Sequence, residues 1–133
     1  MNAIAEAMWR EDEASRGLGM KLEEAAPGHA RLSMRVGKSM ANGQKTCHGG
    51  FIFALADSAF AFACNAHNER AVAASCSIDY LAPAFVDEVL TAEAREVERR
   101  GRRGIYDVRV TNQKGETVAL FRGQSATVKG TWL

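Results

Sequence analysis

From Phe51 to Cys64 the chain reads FIFALADSAFAFAC, apolar on nearly every face of a helix, with one carboxylate, Asp57, in its midst. A helix that is apolar all round is buried on all sides, or nearly so. This segment therefore predicts a helix enclosed by the rest of the fold. The helical neighbours three and four residues from Asp57 are Phe53, Ala54, Phe60 and Ala61, none of them polar. An ionised carboxylate in such surroundings is costly unless it is paired, hydrogen-bonded or placed at a cleft. Any partner must come from elsewhere in the fold or from another subunit. Two readings stand side by side: a structural carboxylate that holds backbone groups or an ion pair, and a functional one.

Directly before this segment stands His48-Gly49-Gly50. Free backbone N–H groups at a helix start point outward and favour negative charge. Paired glycines let a ligand come close to the main chain. Together they can form an oxyanion hole for an acyl carbonyl. Gly50 and Asp57 are seven residues apart, about two helical turns. The simpler alternatives are a tight loop-to-helix junction for the glycines and a backbone-bonding helix-entry side chain for His48. His29 and His67 read as ordinary surface or loop histidines.

The other segments frame that helix. Residues 3–16 are strong helix formers, ended by Gly17 and Gly19. Pro27-Gly28 separates two runs, 20–26 and 29–36, the second with period-two alternation, which predicts a hairpin. Residues 37–47 read as a loop and 71–82 as a strand ending before Pro83. Segments 105–112 and 117–128 flank Gln113-Lys114-Gly115-Glu116 and predict a second hairpin. Residues 87–100 (DEVLTAEAREVERR) have helical propensity, yet Leu90, Ala92 and Ala94 also share one face at period two.

Composition narrows the function classes. The chain has 133 residues and a net charge of +1, which fits one domain with one core and argues against a dedicated nucleic-acid binder. No apolar run reaches the ~18–20 residues of a membrane span. The acidic N-terminal stretch, with Glu6, Glu11, Asp12 and Glu13, does not resemble a signal peptide. Cys47, Cys64 and Cys76 include no C-x-x-C pair, so neither a disulfide framework nor a zinc site is suggested. The expectation is a cytoplasmic protein with reduced thiols. Phosphate-loop and nucleophile-elbow motifs are missing from the sequence.

The set Asn42, His48-Gly49-Gly50 and Asp57 resembles the signature of hotdog-fold acyl-CoA thioesterases, most closely the phenylacetic acid degradation branch. LADSAFAFACN (55–65), CSIDYLAPA (76–84), GRRGIYDVRV (101–110) and VALFRGQSATVKG (118–130) extend the likeness from Gly19 onward. The resemblance implies an α+β hotdog fold, a long central helix wrapped by a curved antiparallel sheet, in which 87–100 is a strand. It implies a thioesterase acting on phenylacetyl-CoA or ring-hydroxylated aryl-acetyl-CoA, without metal or cofactor, and a homodimer, often a dimer of dimers. Asp57 matches the carboxylate that activates water or attacks the thioester. Gly49 matches the backbone N–H that polarises the carbonyl. Asn42 matches a polar residue at that carbonyl or the water, His48 a neighbour of the carbonyl, and Ser75 a hydroxyl that positions the water. In the family Asp57 faces Asn42 and Gly49 across the dimer interface.

Around this core, Gly50 and Phe53 are candidates for substrate contact, although Phe51, Phe53, Phe60 and Phe62 read first as core. Arg99, Arg100, Arg102 and Arg103 read either as a solvated turn or as contacts to coenzyme A phosphates, with Arg122 a weaker candidate. Two other activities fit the same fold: an enoyl-CoA hydratase or dehydratase, and an acyl-CoA-binding module without turnover.

Overall fold

The computed structural model describes residues 2–133, and among them no helix is long and apolar enough to cross a membrane. In chain order the elements are α1 (Ala3–Glu11), α2 (Glu13–Gly17), β1 (Lys21–Ala26), β2 (His29–Arg35) and a 3-10 turn at Lys38–Met40. There follow α3 (Gly49–Asn65), β3 (Ala71–Tyr80), β4 (Val89–Arg100), β5 (Arg103–Thr111) and β6 (Thr117–Thr127). The strands form one six-stranded sheet in the order β1-β2-β4-β5-β6-β3, every pair antiparallel. α3 packs against all six strands. This is the hotdog architecture, a helix held inside a curved sheet.

Both hairpins stand where turn chemistry placed them. The strand at 89–100 settles the contest between propensity and periodicity. Leu90, Ala92 and Ala94 are fully buried against the core, and β4 bonds to β2 on one side and β5 on the other. A strand with a buried period-two face and neighbours on both sides over Val89–Arg95 gains more from packing and pairing than the fraction of a kcal/mol per residue by which Glu and Arg prefer helix. Its glutamates find partners. On the outer face Glu93 lies 2.6 Å from His29 Nε2 of β2, and on the inner face, opposite Tyr106, Glu96 lies 2.8 Å from Nε2 of His67, just past α3, and accepts from the Tyr106 hydroxyl. His29 and His67 are thus partly buried and paired, not ordinary surface side chains.

Two further corrections concern helices. The N-terminal helix expected over 3–16 is two pieces, because Asp12 leaves helical geometry (φ −87°, ψ 84°) and caps α2, accepting from Ser15 N. α3 is also less enclosed than its composition implies. Ile52, Leu55, Ala56, Ala59, Phe60, Phe62 and Ala63 are buried, but Ala54, Asp57, Ser58 and Ala61, at helical spacing, form a half-buried stripe. Phe51 and Phe53 are half-buried as well.

The core is tightest around Phe60. Its ring centroid lies 5.6 Å from that of Tyr106 and 5.8 Å from that of Phe121. It seats directly on Gly123 of β6, where an added Cβ would come within 2.9 Å of three ring carbons. Gly123→Ala should therefore cost about 1–3 kcal/mol through overpacking, read as a lower urea midpoint at an unchanged slope. A midpoint equal to wild type would show that the Phe60 ring can step aside.

Candidate active site

α3 opens with His48 as its N-cap, and the His48 side chain accepts the Gly50 N–H through Nδ1 at 3.1 Å. With Nδ1 accepting, the ring proton sits on Nε2, which is left free to donate. The Phe51 N–H goes to the His48 carbonyl. Among the described residues the Gly49 N–H has no acceptor. The glycine pair therefore divides its work: Gly50 completes the cap, and Gly49 keeps an outward donor.

Tyr80 explains why residue 49 has no side chain. The Tyr80 hydroxyl donates to the Gly49 carbonyl at 2.8 Å, and a Cβ at residue 49 would lie 3.0 Å from the Tyr80 ring. Tyr80 comes from the end of β3, so the sheet grips the first turn of the helix. Sequence reasoning missed it, because nothing marks one aromatic at a strand end.

Asn42 sits in the loop that leads to the helix. A bond from His48 N to the Met40 carbonyl, 2.8 Å, folds that loop back on the helix start. Asn42 Oδ1 accepts from Gln44 N, Thr46 N and Thr46 Oγ1. Its carbonyl end is thus spent on shaping the turn, and its Nδ2 is what remains to meet a ligand. Asn42, His48 and Gly49 present donors and no free side-chain carboxylate.

Asp57 is half-buried on α3, and among the described residues no hydrogen bond or ion pair reaches its carboxylate. Burial first, and the negative charge of Asp12 second, hold its carboxyl above the ordinary carboxylate value. The reading of Asp57 as one end of a structural pair therefore has no partner to support it. Eight residues separate Asp57 from Gly49, a rise of about 12 Å along the helix. An attacking oxygen and an oxyanion donor must both sit about 3 Å from one reacting centre. Asp57 and Gly49 of one chain cannot serve the same carbonyl.

The remaining candidates divide. Ser75 is exposed and lies opposite Gln124, past a bulge at Ala74, on the strand face away from the core. Cys76, the next residue, packs against the core and is close enough to Asp57 for the carboxylate to raise its thiol pKa, after burial. Phe53 meets Phe121 edge-on at 5.4 Å. Arg99 is held by Glu69 and the His67 ring, and Arg122 makes a two-point pair with Asp107. Arg100, Arg102 and Arg103, at the β4–β5 turn, have no ion pair among the described residues.

The raised Asp57 carboxyl has a consequence for stability. The native state holds this proton more tightly than the unfolded chain does. Stability is therefore lost as pH climbs from the ordinary carboxylate value through the raised one, and the full penalty is present above that window. Asp57→Asn should be more stable than wild type at pH 7, and the gap should close as pH falls through the window. Urea unfolding at a series of pH values reads this directly; a variant less stable at pH 7 would mean that the carboxylate has a structural partner after all.

Comparison with known proteins places the chain in a family. The thioesterase superfamily pattern matches residues 44–119, which span Gly49, Asp57 and Tyr80. The chain is 43% identical to acyl-coenzyme A thioesterase PaaI of Escherichia coli, over 96% of this chain and 91% of that protein. The structure of the E. coli PaaI protein from the phenylacetic acid degradation operon superposes with a TM-score of 0.95, covering 96% of this chain and 93% of that one. Phenylacetic acid degradation protein PaaI from Thermus thermophilus, in a mutant form, is 39% identical with a TM-score of 0.85, over 88% of this chain and 100% of that one. A Streptococcus mutans protein solved with acetyl CoA is 25% identical with a TM-score of 0.81, over 84% and 90% of the two chains. The chain belongs to the thioesterase superfamily, as a hotdog-fold thioester hydrolase.

Proposed function

We propose that the protein hydrolyses acyl-CoA thioesters, with phenylacetyl-CoA or a ring-hydroxylated aryl-acetyl-CoA as substrate, at sites built between two copies of the chain. The observation that carries the reading is the pair of unsatisfied groups on one helix, the Gly49 N–H and the Asp57 carboxylate, too far apart to act together in one chain. A second copy offering its Asp57 to the first copy's Gly49 resolves both at once.

The edges of the sheet favour such pairing. β1 is guarded by Lys21, Glu23 and Glu24 and by an irregularity between Leu22 and Glu24. β3, at the other edge, runs ten residues with no proline, no lysine and one charge, Asp79. An unguarded edge of that length invites another strand, and pairing of β3 with β3 brings a second α3 alongside. A dimer of dimers is the further expectation.

In the reaction a water oxygen adds to the thioester carbon while its proton passes to Asp57 of one subunit. The oxyanion that forms is held by the Gly49 N–H of the other, with His48 Nε2 and Asn42 Nδ2 as further donors. Collapse breaks the C–S bond, and the proton on Asp57 goes to the departing thiolate, leaving acid and CoA. Attack by the carboxylate itself, through an anhydride that water then opens, uses the same groups. Neither route asks for a metal or cofactor. Ser75, on the β3 edge, is placed to act only through the second copy. Of the candidate arginines, Arg100, Arg102 and Arg103 make no ion pair among the described residues and are the ones assigned to coenzyme A phosphates; Arg99 and Arg122 are already engaged.

Subunit complementation tests the reading. Asp57→Asn removes the base. Gly49→Pro removes the N–H at a helix position that accepts proline, with Tyr80→Ala alongside to make room. Each protein alone should hydrolyse phenylacetyl-CoA about 100- to 1,000-fold more slowly. Refolded together at equal amounts they should regain about one quarter of wild-type activity, since half of randomly paired dimers carry one intact site of two. No recovery would place both groups of a site in one chain; full activity in Asp57→Asn would remove the carboxylate from the chemistry. Oxygen-18 incorporation in a single turnover separates the two routes of attack.

A further inference from the structure

The α1–α2 junction is not needed to close the sheet around α3, yet it makes a specific contact one residue from Asp57. Asp12 accepts from Ser15 N at 2.9 Å through Oδ1 and from the Ser15 hydroxyl at 2.7 Å through Oδ2. Ser15 is almost completely buried, and its oxygen lies 2.7 Å from that of Ser58. The one Ser15 hydroxyl proton goes to the carboxylate, so Ser58 is the donor to Ser15. The chain of bonds runs Ser58 to Ser15 to Asp12, and it ties down the half-buried stripe of α3 that carries Asp57. The break in the N-terminal helix at Asp12 gives this contact its geometry, since a continuous helix would keep Asp12 from capping Ser15.

We propose that Asp12 is a positioning residue for Asp57: through Ser15 and Ser58 it fixes the turn of α3 that carries the carboxylate, and it sets a second negative charge beside it. The inference rests on the reading of Asp57 as the base or nucleophile, and adds the N-terminal helices to the working site. Other groups around Asp57 do not supply that charge. Cys64, on its own helix, is a neutral thiol pushed up to about 12 by burial, and Cys76 from β3 is likewise raised. On the inner face of β5, Tyr106 is bound to Glu96 and stays protonated. β2, β4 and β6 turn apolar side chains such as Leu32, Ala92 and Phe121 toward α3. Among the described residues Asp12 is the carboxylate that bears on Asp57; burial first, and this charge second, hold the Asp57 proton more tightly. A base so tuned is stronger once ionised.

Asp12→Asn removes the charge and keeps the cap on Ser15 N, because asparagine caps as well as aspartate; its amide donates to the Ser15 oxygen where the carboxylate accepted, so the Ser15 hydroxyl turns to donate to Ser58. Asp12→Ser is a second uncharged cap, and exposed Glu13→Gln is the control. The readouts are the carbon-13 titration of the Asp57 carboxyl in the resting protein, assigned by its loss in Asp57→Asn, and the acid limb of kcat/KM for phenylacetyl-CoA. Both should move down in either Asp12 variant, and neither should move in Glu13→Gln. Ser15→Ala should lower kcat severalfold at unchanged KM. A merely structural role would lower melting temperature and leave the titration in place, which would overturn the proposal. An inactive Asp57→Asn with an unmoved titration in both Asp12 variants would overturn this inference alone. A fully active Asp57→Asn would overturn it together with the functional reading beneath it.

Discussion

An ionisable carboxylate with no partner among the described residues, set on the helix that every strand of the sheet packs against, is the constraint around which this protein is organised. Burial of Asp57 is unfavourable in the folded state, and the described residues do not relieve it: none of them brings a cation to it, and the carboxylate that bears on it raises its proton affinity further. Stability elsewhere has to offset this. It comes from the aromatic cluster of Phe60, Tyr106 and Phe121 and from the buried faces of β2, β4 and β5. That cost weighs on a domain whose net stability is only about 5–15 kcal/mol, and the proposed chemistry is the reason to keep it.

The helix start complements that carboxylate. His48 and Gly50 satisfy one another, and Tyr80 braces the Gly49 carbonyl, so the donor left over is the Gly49 N–H. Among the described residues one helix thus carries an N–H without an acceptor at its start and a carboxylate without a partner in its middle, separated by about two turns. That spacing turns a question of fold into a question of assembly. The unguarded β3 edge lies at the same side of the sheet as Tyr80 and Cys76, so the surface that would pair is the surface that braces the site.

Much of this was legible in the residues. His48-Gly49-Gly50, the all-apolar helix and the lone Asp57 stand close together in the chain, and local chemistry reads them: capping, glycine approach, the cost of a buried charge. Both hairpins were legible for the same reason, since turn residues and alternation are local. β4 was not legible from propensity. Its glutamates and arginines favour helix in isolation and become strand residues only between β2 and β5, where His29 and Tyr106 wait for Glu93 and Glu96 and His67 reaches in from just past α3. The break at Asp12 was hidden in a run of helix formers, because the advantage of capping Ser15 against Ser58 depends on a contact 43 residues away in sequence.

The sequence by itself determined the lone carboxylate, the glycine pair at the helix start and the strand alternation, because each depends on residues within a few positions of one another. Tertiary structure decided which of the two glycines keeps a free N–H, which end of Asn42 is spent on its turn, and which arginines are already paired. It also decided that Cys76 rather than Ser75 faces Asp57 within one chain, because a bulge at Ala74 resets the alternation of β3. These are questions of what remains unsatisfied once every neighbour has been placed, and only the packed chain places them.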